Sequence, residues 1–253
     1  MPLNKKILTF AFSLLITIFV ISPSYATEDL SPSQREQVIQ LIRKTLTENP
    51  EIIMEALDEL RQRREVAEAA QKQKVLSENK AIIFNDLLTP VAGNLQGDVS
   101  LVEFFDYRCG YCKRVFPAVM ELVKSDTNLR YVIKEFPILG EESLFAAKAA
   151  LAAKKQNKYF EMHVALMSVQ GGLTNSKVMA TAKSLGLDIE TLKTDMEAED
   201  VKRALQNNYA LAQSLGITGT PAFIIGDEVV PGAIGLDQLK ALIAEARNKT
   251  TKE

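Results

Sequence analysis

Val99-Ser100-Leu101-Val102-Glu103-Phe104-Phe105 runs directly into Asp106-Tyr107-Arg108-Cys109-Gly110-Tyr111-Cys112, after which Val115, Phe116, Val119 and Leu122 recur at helical spacing. The first seven residues form an almost continuous apolar run of strand length, and Lys113 to Leu122 read as a helix. A C-x-x-C therefore sits where a strand ends and a helix begins. At a helix N-terminus the unpaired backbone N–H groups and the macrodipole stabilise a thiolate, so Cys109 is expected to be a nucleophile of lowered pKa. Cys112, one turn inside the helix and less exposed, is placed to attack Cys109 once a mixed disulfide has formed. Pro117, five residues past Cys112, predicts a kink that leaves the first turn shaped for the pair.

These two cysteines are the whole complement of the 253-residue chain. Exported proteins usually spend cysteines on bridges between distant segments. A link across two residues restrains the unfolded chain little, because the entropic gain grows with loop length. Chemistry explains the pair better than structure does. Zinc needs four ligands, and no second Cys or His cluster exists unless a dimer shares the site. Two thiolates suit Cu(I) better on ligand softness.

Upstream, the chain opens as an export leader. Lys5 and Lys6 precede the apolar run Ile7 to Ile21, and Ser24-Tyr25-Ala26 offers small residues for cleavage before Thr27. The run is shorter than a typical membrane span of about 20 residues, although an uncleaved anchor is the alternative. Residues 1–26 are thus expected to be a signal peptide and the mature chain to be periplasmic. Residues 27–80 read as a helical oligomerisation segment with a linker. Ser33 with Glu36 suggests a capping box, and Val38, Leu41, Ile42 and Leu46 follow at helical spacing. Asn49-Pro50 restarts a helix, with Asn as N-cap, whose stripe is Ile53, Ala56, Leu57 and Leu60. From Arg61 to Lys74 charged residues and glutamines dominate, as in a solvated helix. Two stripes without a core of their own want a partner, and a second copy of the segment is preferred to the chain's own domain.

Downstream, residues 81–253 read as one domain. Leu129 to Phe136 is a strand closed by Pro137, and residues from about 141 to 215 are helical. Two short strands follow, Ala222 to Ile225 and Val229 to Val230, joined through Gly226-Asp227. A last amphipathic helix carries Leu236, Leu239, Leu242 and Ile243. The fold class is α/β.

The stretch Phe104 to Lys113, taken with Gly219-Thr220-Pro221-Ala222-Phe223, resembles the DsbA-like branch of the thioredoxin superfamily. The two motifs lie more than a hundred residues apart in compatible order, which makes the pair far more specific than either alone. The resemblance covers about residues 90 to 247. It implies a thioredoxin fold with a helical insertion, preceded here by an N-terminal helical extension. It also implies that Pro221 is cis beside the cysteines, and that the Thr220 backbone pairs with a substrate strand. On spacing alone, Thr220-Pro221 would be an ordinary turn. Gly110-Tyr111 and Thr220 resemble the disulfide-isomerase type more than the strongly oxidising type, which has Pro-His and Val there. Lacking that His, the Cys109 thiolate loses a stabilising contact and the protein is expected to be the weaker oxidant. The extension is similar to those of the suppressor-of-copper-sensitivity protein C group and of Com-type outer-membrane proteins.

Glu103, six residues before Cys109 and flanked by Val102 and Phe104, matches a family acid that lies buried under the cysteines and passes protons to the resolving one. A buried carboxyl would have the raised pKa such work needs. The plainer reading is an edge glutamate reaching solvent. Lys134 is a candidate partner. His163, the chain's one histidine, lies among Phe160, Met162, Leu166 and Met167 and reads as packed or capping. A single histidine leaves no room for His-based triads or multi-histidine metal sites.

Charge narrows the partners. Thirty basic against 32 acidic residues give −2, and removal of Lys5 and Lys6 with the leader leaves −4. Nucleic acid binding needs a concentrated basic face, which this balance does not supply. The sequence therefore points to Cys109, Cys112, Pro221 and Glu103 as catalytic residues, and to Gly110, Tyr111 and Thr220 as contacts to protein substrates. Thiol- or disulfide-bearing exported proteins, a membrane redox partner and a second copy of the chain are the expected partners, with no organic cofactor. The rival from another class is a copper-binding or surface-interaction protein on the same fold.

Overall fold

A computed structural model describes residues 30–250. The expected signal peptide at 1–26 lies outside the described residues. The chain divides into two compact units between Arg61 and Gln62.

In the first unit, α1 (Pro32–Glu48) starts at Ser31, whose Oγ accepts from Gln34 N while Gln34 Oε1 accepts from Ser31 N. The capping box thus lies two residues upstream of the expected Ser33/Glu36. Pro32 explains the difference: without an N–H and with its φ preset, it fits the first helical position and makes Ser31 the cap. Asn49 closes α1 rather than opening the next helix, since its backbone and side-chain N–H groups both donate to Thr45 O. Helix α2 (Glu51–Glu78) then runs unbroken through the charged stretch. No residue of α1 is buried, and Val38, Ile39, Leu41 and Ile42 are exposed, as are Ile53, Leu57 and Leu60 of α2.

The second unit is built on a five-stranded sheet. Its strands are β1 (Val91–Gly93), β2 (Val99–Phe105), β3 (Leu129–Glu135), β4 (Ala222–Ile225) and β5 (Glu228–Pro231), in the spatial order β1-β3-β2-β4-β5. Only β2 and β3 are parallel; the other three pairings are antiparallel. The parallel step is made by α4 (Gly110–Ser125), which crosses one face. The central strand β2 is buried on both faces, which is why it reads as a nearly unbroken apolar run.

Alternation along the strands sorts the core in two. Leu101, Phe105, Tyr131, Ile133 and Phe223 face α4, α6 (Tyr159–Ser168) and α10 (Leu236–Thr250). Val102, Phe104, Val132 and Ile224 face the other way, toward Ile83 of α3 (Lys80–Asn85), Leu211 of α9 (Glu199–Ser214) and Leu76. The helical block is α5 (Glu141–Ala153), α6, α7 (Asn175–Ser184), α8 (Ile189–Met196) and α9. Alanines at 146, 147, 149, 150, 152 and 153 are buried, so α5 is enclosed nearly all round by its neighbours.

Candidate redox site

Strand β2 delivers Asp106 to the rim of the sheet, and a tight turn carries the chain into α4. Asp106 holds that turn with both carboxylate oxygens. Oδ1 accepts from Arg108 N at 2.7 Å and Ser143 Oγ at 2.8 Å, and Oδ2 accepts from Ile138 N at 2.9 Å and Leu139 N at 3.0 Å. The end of β2, the loop after β3 and the first turn of α5 are thereby tied to one buried group. Arg108 adds a bond to Leu139 O and an ion pair with Glu142.

Cys109 is the N-cap of α4, and its sulfur accepts from Cys112 N at 3.3 Å. An N-cap side chain normally supplies an oxygen to an orphan helix N–H; here a cysteine sulfur does so. The Cys112 thiol and nearby backbone N–H groups outweigh partial burial and bring the Cys109 thiol down to about 6. Burial, reinforced by Cys109 and by the charge of Glu103, pushes the Cys112 thiol far above its ordinary value. One cysteine is ready to attack and the other is held as a thiol. Both are free and largely buried, whereas Gly110 and Tyr111 are exposed, with the Arg114 guanidinium over the Tyr111 ring.

The Thr220–Pro221 peptide bond is cis. Cys109 Sγ lies 3.3 Å from Thr220 O, so the loop before β4 meets the nucleophile directly. All seven residues singled out in the sequence converge here except Glu103, which lies beneath. Pro117 falls inside α4, and the helix continues through it.

Glu103 is buried on the α4 face of β2. Its Oε2 accepts from Tyr131 Oη at 2.5 Å, and its Oε1 has no protein partner. Burial raises its carboxyl from 4.5 to about 7 against the pull of the Tyr131 hydrogen bond, and Cys109 adds to the rise. Lys134 is not its partner. Glu103 stands opposite Ile133 in the ladder, so Lys134 shares the other face with Phe104. There Lys134 Nζ donates to Thr89 Oγ1 and Ile82 O, and burial lowers it to about 8.

A second polar cluster lies on the Glu103 side of the sheet. Glu135 Oε1 accepts from Tyr107 Oη at 2.9 Å and Tyr159 Oη at 2.8 Å, and Tyr107 Oη is 3.1 Å from His163 Nδ1. Burial takes the imidazole down to about 3, which leaves it neutral, packed against Phe105, Phe116 and Tyr159.

Sequence reasoning missed Asp106 and Tyr131. Asp106 adjoins the motif, but its four donors come from segments up to 37 residues away. For Tyr131 the available signal was a phenol inside an apolar strand, whose buried hydroxyl needs a partner.

Residues 100–244 match the DSBA-like thioredoxin domain family, and residues 34–67 match the copper resistance protein ScsC N-terminal domain. A thioredoxin-like oxidoreductase from Silicibacter pomeroyi DSS-3 is 48% identical, covering 67% of this chain and 98% of its own, at a TM-score of 0.66. Proteus mirabilis ScsC in a transitional conformation is 33% identical, covering 87% and 100%, at a TM-score of 0.65. A periplasmic thioredoxin-like protein from Salmonella enterica serovar Typhimurium is 32% identical, covering 67% and 95%, at a TM-score of 0.62. Among curated relatives, a Na(+)/H(+) antiporter NhaA 1 of Salinispora arenicola matches over 187 residues at 29% identity; the chain spans only 28% of its length. No helix among the described residues is long and apolar enough to cross a membrane.

Proposed function

The chain belongs to the DsbA-like thioredoxin family, and from that premise we propose that it exchanges thiols and disulfides in exported proteins, as a periplasmic oligomer assembled through its N-terminal helices. The observation that carries this reading is the opposed state of the two cysteines: Cys109 near 6 at the helix cap, and Cys112 buried and protonated behind it.

The Cys109 thiolate attacks one sulfur of a client disulfide, and the other client sulfur leaves as a thiolate that takes a proton from water. The mixed disulfide then has two exits. Cys112 gives its proton to Glu103 and attacks Cys109 Sγ, releasing the client thiol and leaving a Cys109–Cys112 disulfide. Alternatively, another client thiolate attacks the client sulfur, which returns Cys109 and completes an isomerisation. Running the first exit and then the initial attack backwards, from the Cys109–Cys112 disulfide, oxidises a client dithiol and leaves both cysteines reduced. Gly110, Tyr111 and the backbone of Thr220 are the client contacts, and Pro221 sets the loop that presents them.

Isomerisation is favoured because shuffling a misfolded client profits from several sites around one cleft. The exposed stripes on α1 and the start of α2 supply the surface for assembly. The membrane redox partner would keep the cysteine pair reduced. The test is reactivation of scrambled ribonuclease by the mature chain and by a form starting at Gln62. Reactivation by the first and only oxidation of reduced ribonuclease by the second supports an isomerase built from DsbA-like domains. Oxidation without reshuffling by both would leave an oxidase and remove the isomerase reading.

A further inference from the structure

The second half of α2 stands over an open cleft. From Gln62 to Lys74 every residue is exposed, and near its end the helix is anchored to the rest of its unit. Leu76 is buried against Leu211, Leu215 and Ile224, Gln73 Nε2 donates to Asp227 O at 2.9 Å, and Lys80 pairs with Asp227. A cavity of about 550 Å³ lies between Ala69, Gln73 and Leu76 on the helix side and Ile217, Pro221 and Val229 on the other. It falls within the range of sites that receive a ligand, roughly 300–1,000 Å³.

The cleft shares the Thr220–Pro221 segment with the redox site. Thr220 and Pro221 line it, and the same Thr220 carbonyl meets Cys109 Sγ at 3.3 Å. A client sulfur must reach Cys109 Sγ, which brings the residues beside the client's cysteine to Thr220 and so to the edge of this cavity. Its walls carry more apolar than polar surface, from aliphatic, alanine and proline residues beside Lys72, Asp227 and Glu228, and an apolar side chain seated there is removed from water. Extending the reading of the site given above, we infer that the second half of α2 is one wall of the client-binding cleft, which seats an apolar side chain of the polypeptide next to the cysteine under attack. The linker helix is then part of substrate recognition as well as a connection to the oligomerisation segment.

Ala69 is exposed and helical, so Ala69→Trp fills the cavity without disturbing the core. Gln71→Trp, on the same helix but outside the cavity, is the control for bulk. The probes are glutathione disulfide and a ten-residue peptide with leucines on either side of one cysteine, activated as its mixed disulfide with glutathione. Reduced full-length protein reacts in a single turnover. Cys109 takes the peptide sulfur, glutathione leaves as the thiolate, and Cys112 closes the Cys109–Cys112 disulfide and frees the peptide thiol. The expected result is a tenfold or greater loss in the second-order rate constant with the peptide for Ala69→Trp. Its rate with glutathione disulfide should be unchanged, and Gln71→Trp should resemble the parent with both probes. Equal loss with both probes, no loss with the peptide, or a changed oligomeric state that points to a second copy in the cleft would overturn the inference. Failure of the parent protein to react with glutathione disulfide would instead sink the thiol-exchange reading itself.

Discussion

Tyr131 Oη donates to Glu103 Oε2 at 2.5 Å inside the core, across two parallel strands and below the cysteine pair. This bond favours the ionised carboxyl and opposes the burial that lifts Glu103 to about 7. The phenol therefore sets the pH at which Glu103 can accept the Cys112 proton. Tyr131→Phe removes the donor and leaves the burial, so the Glu103 pKa should rise further. Resolution of a preformed mixed disulfide, followed by stopped flow from pH 5 to 9, should show its midpoint moved to higher pH. An unmoved midpoint would mean that Glu103 does not take that proton.

The second prediction concerns the nucleophile. With Cys109 at about 6, roughly nine-tenths of it is thiolate at pH 7, where an ordinary cysteine is a few per cent ionised. The rate of iodoacetamide labelling should rise through a midpoint near 6. Cys112 is the largest source of that lowering, so Cys112→Ala should shift the midpoint upward. A midpoint above 8 in the parent protein would contradict the geometry at the helix cap.

What the sequence could and could not disclose follows from the range of each interaction. Strand β2 was legible because both its faces are buried, which leaves an apolar run, and the α4 cap because strand, C-x-x-C and helical spacing are contiguous. Strand β1 was not. Its three residues carry no period of their own and are held by pairing with β3, where Gly93 at φ 71 comes so near that a Cβ would meet Leu129 O at 2.6 Å. The α1 cap was misplaced because Ser31 and Ser33 both head plausible boxes, and only the position of Pro32 decides between them. Glu103 was visible as an acid in an apolar strand, but its partner depended on register with a strand 28 residues away. Asp106 was invisible for the same reason, since its role comes from donors that the fold alone assembles.

Burial of Glu103 also makes a stability prediction with a definite sign. Its carboxyl ionises near 4.5 unfolded but near 7 folded, so between those values the native state holds the extra proton. Stability from this group is then lost as pH rises from 4.5 to 7 and stays lost above. Glu103→Gln keeps an acceptor for Tyr131 and has nothing to ionise. Urea unfolding of the reduced forms should find the variant's advantage growing by about 3 kcal/mol between pH 4.5 and 7.5. A pH-independent difference would place Glu103 in contact with water.

Asp106 supplies the sharpest separation between holding the site and doing its chemistry. Its two oxygens satisfy four donors, three of them partly buried backbone N–H groups at the end of the sheet. Removing a buried acceptor costs a stranded donor about 1–3 kcal/mol where water cannot replace the bond, and less for a partly buried one. Asp106→Ala should therefore lower stability by on the order of 3 kcal/mol or more. Ser143→Ala removes one donor and leaves the carboxylate three, so it should cost only about 1 kcal/mol. The turn from Asp106 to Cys109 fixes the cap that lowers the Cys109 pKa, so the labelling midpoint of Asp106→Ala should move above 6 even where the variant remains folded. Ser143→Ala should keep the midpoint of the parent. If Asp106→Ala lost stability while its midpoint stayed at 6, the carboxylate would be a strut for α5 and the loop after β3 with no hold on the nucleophile.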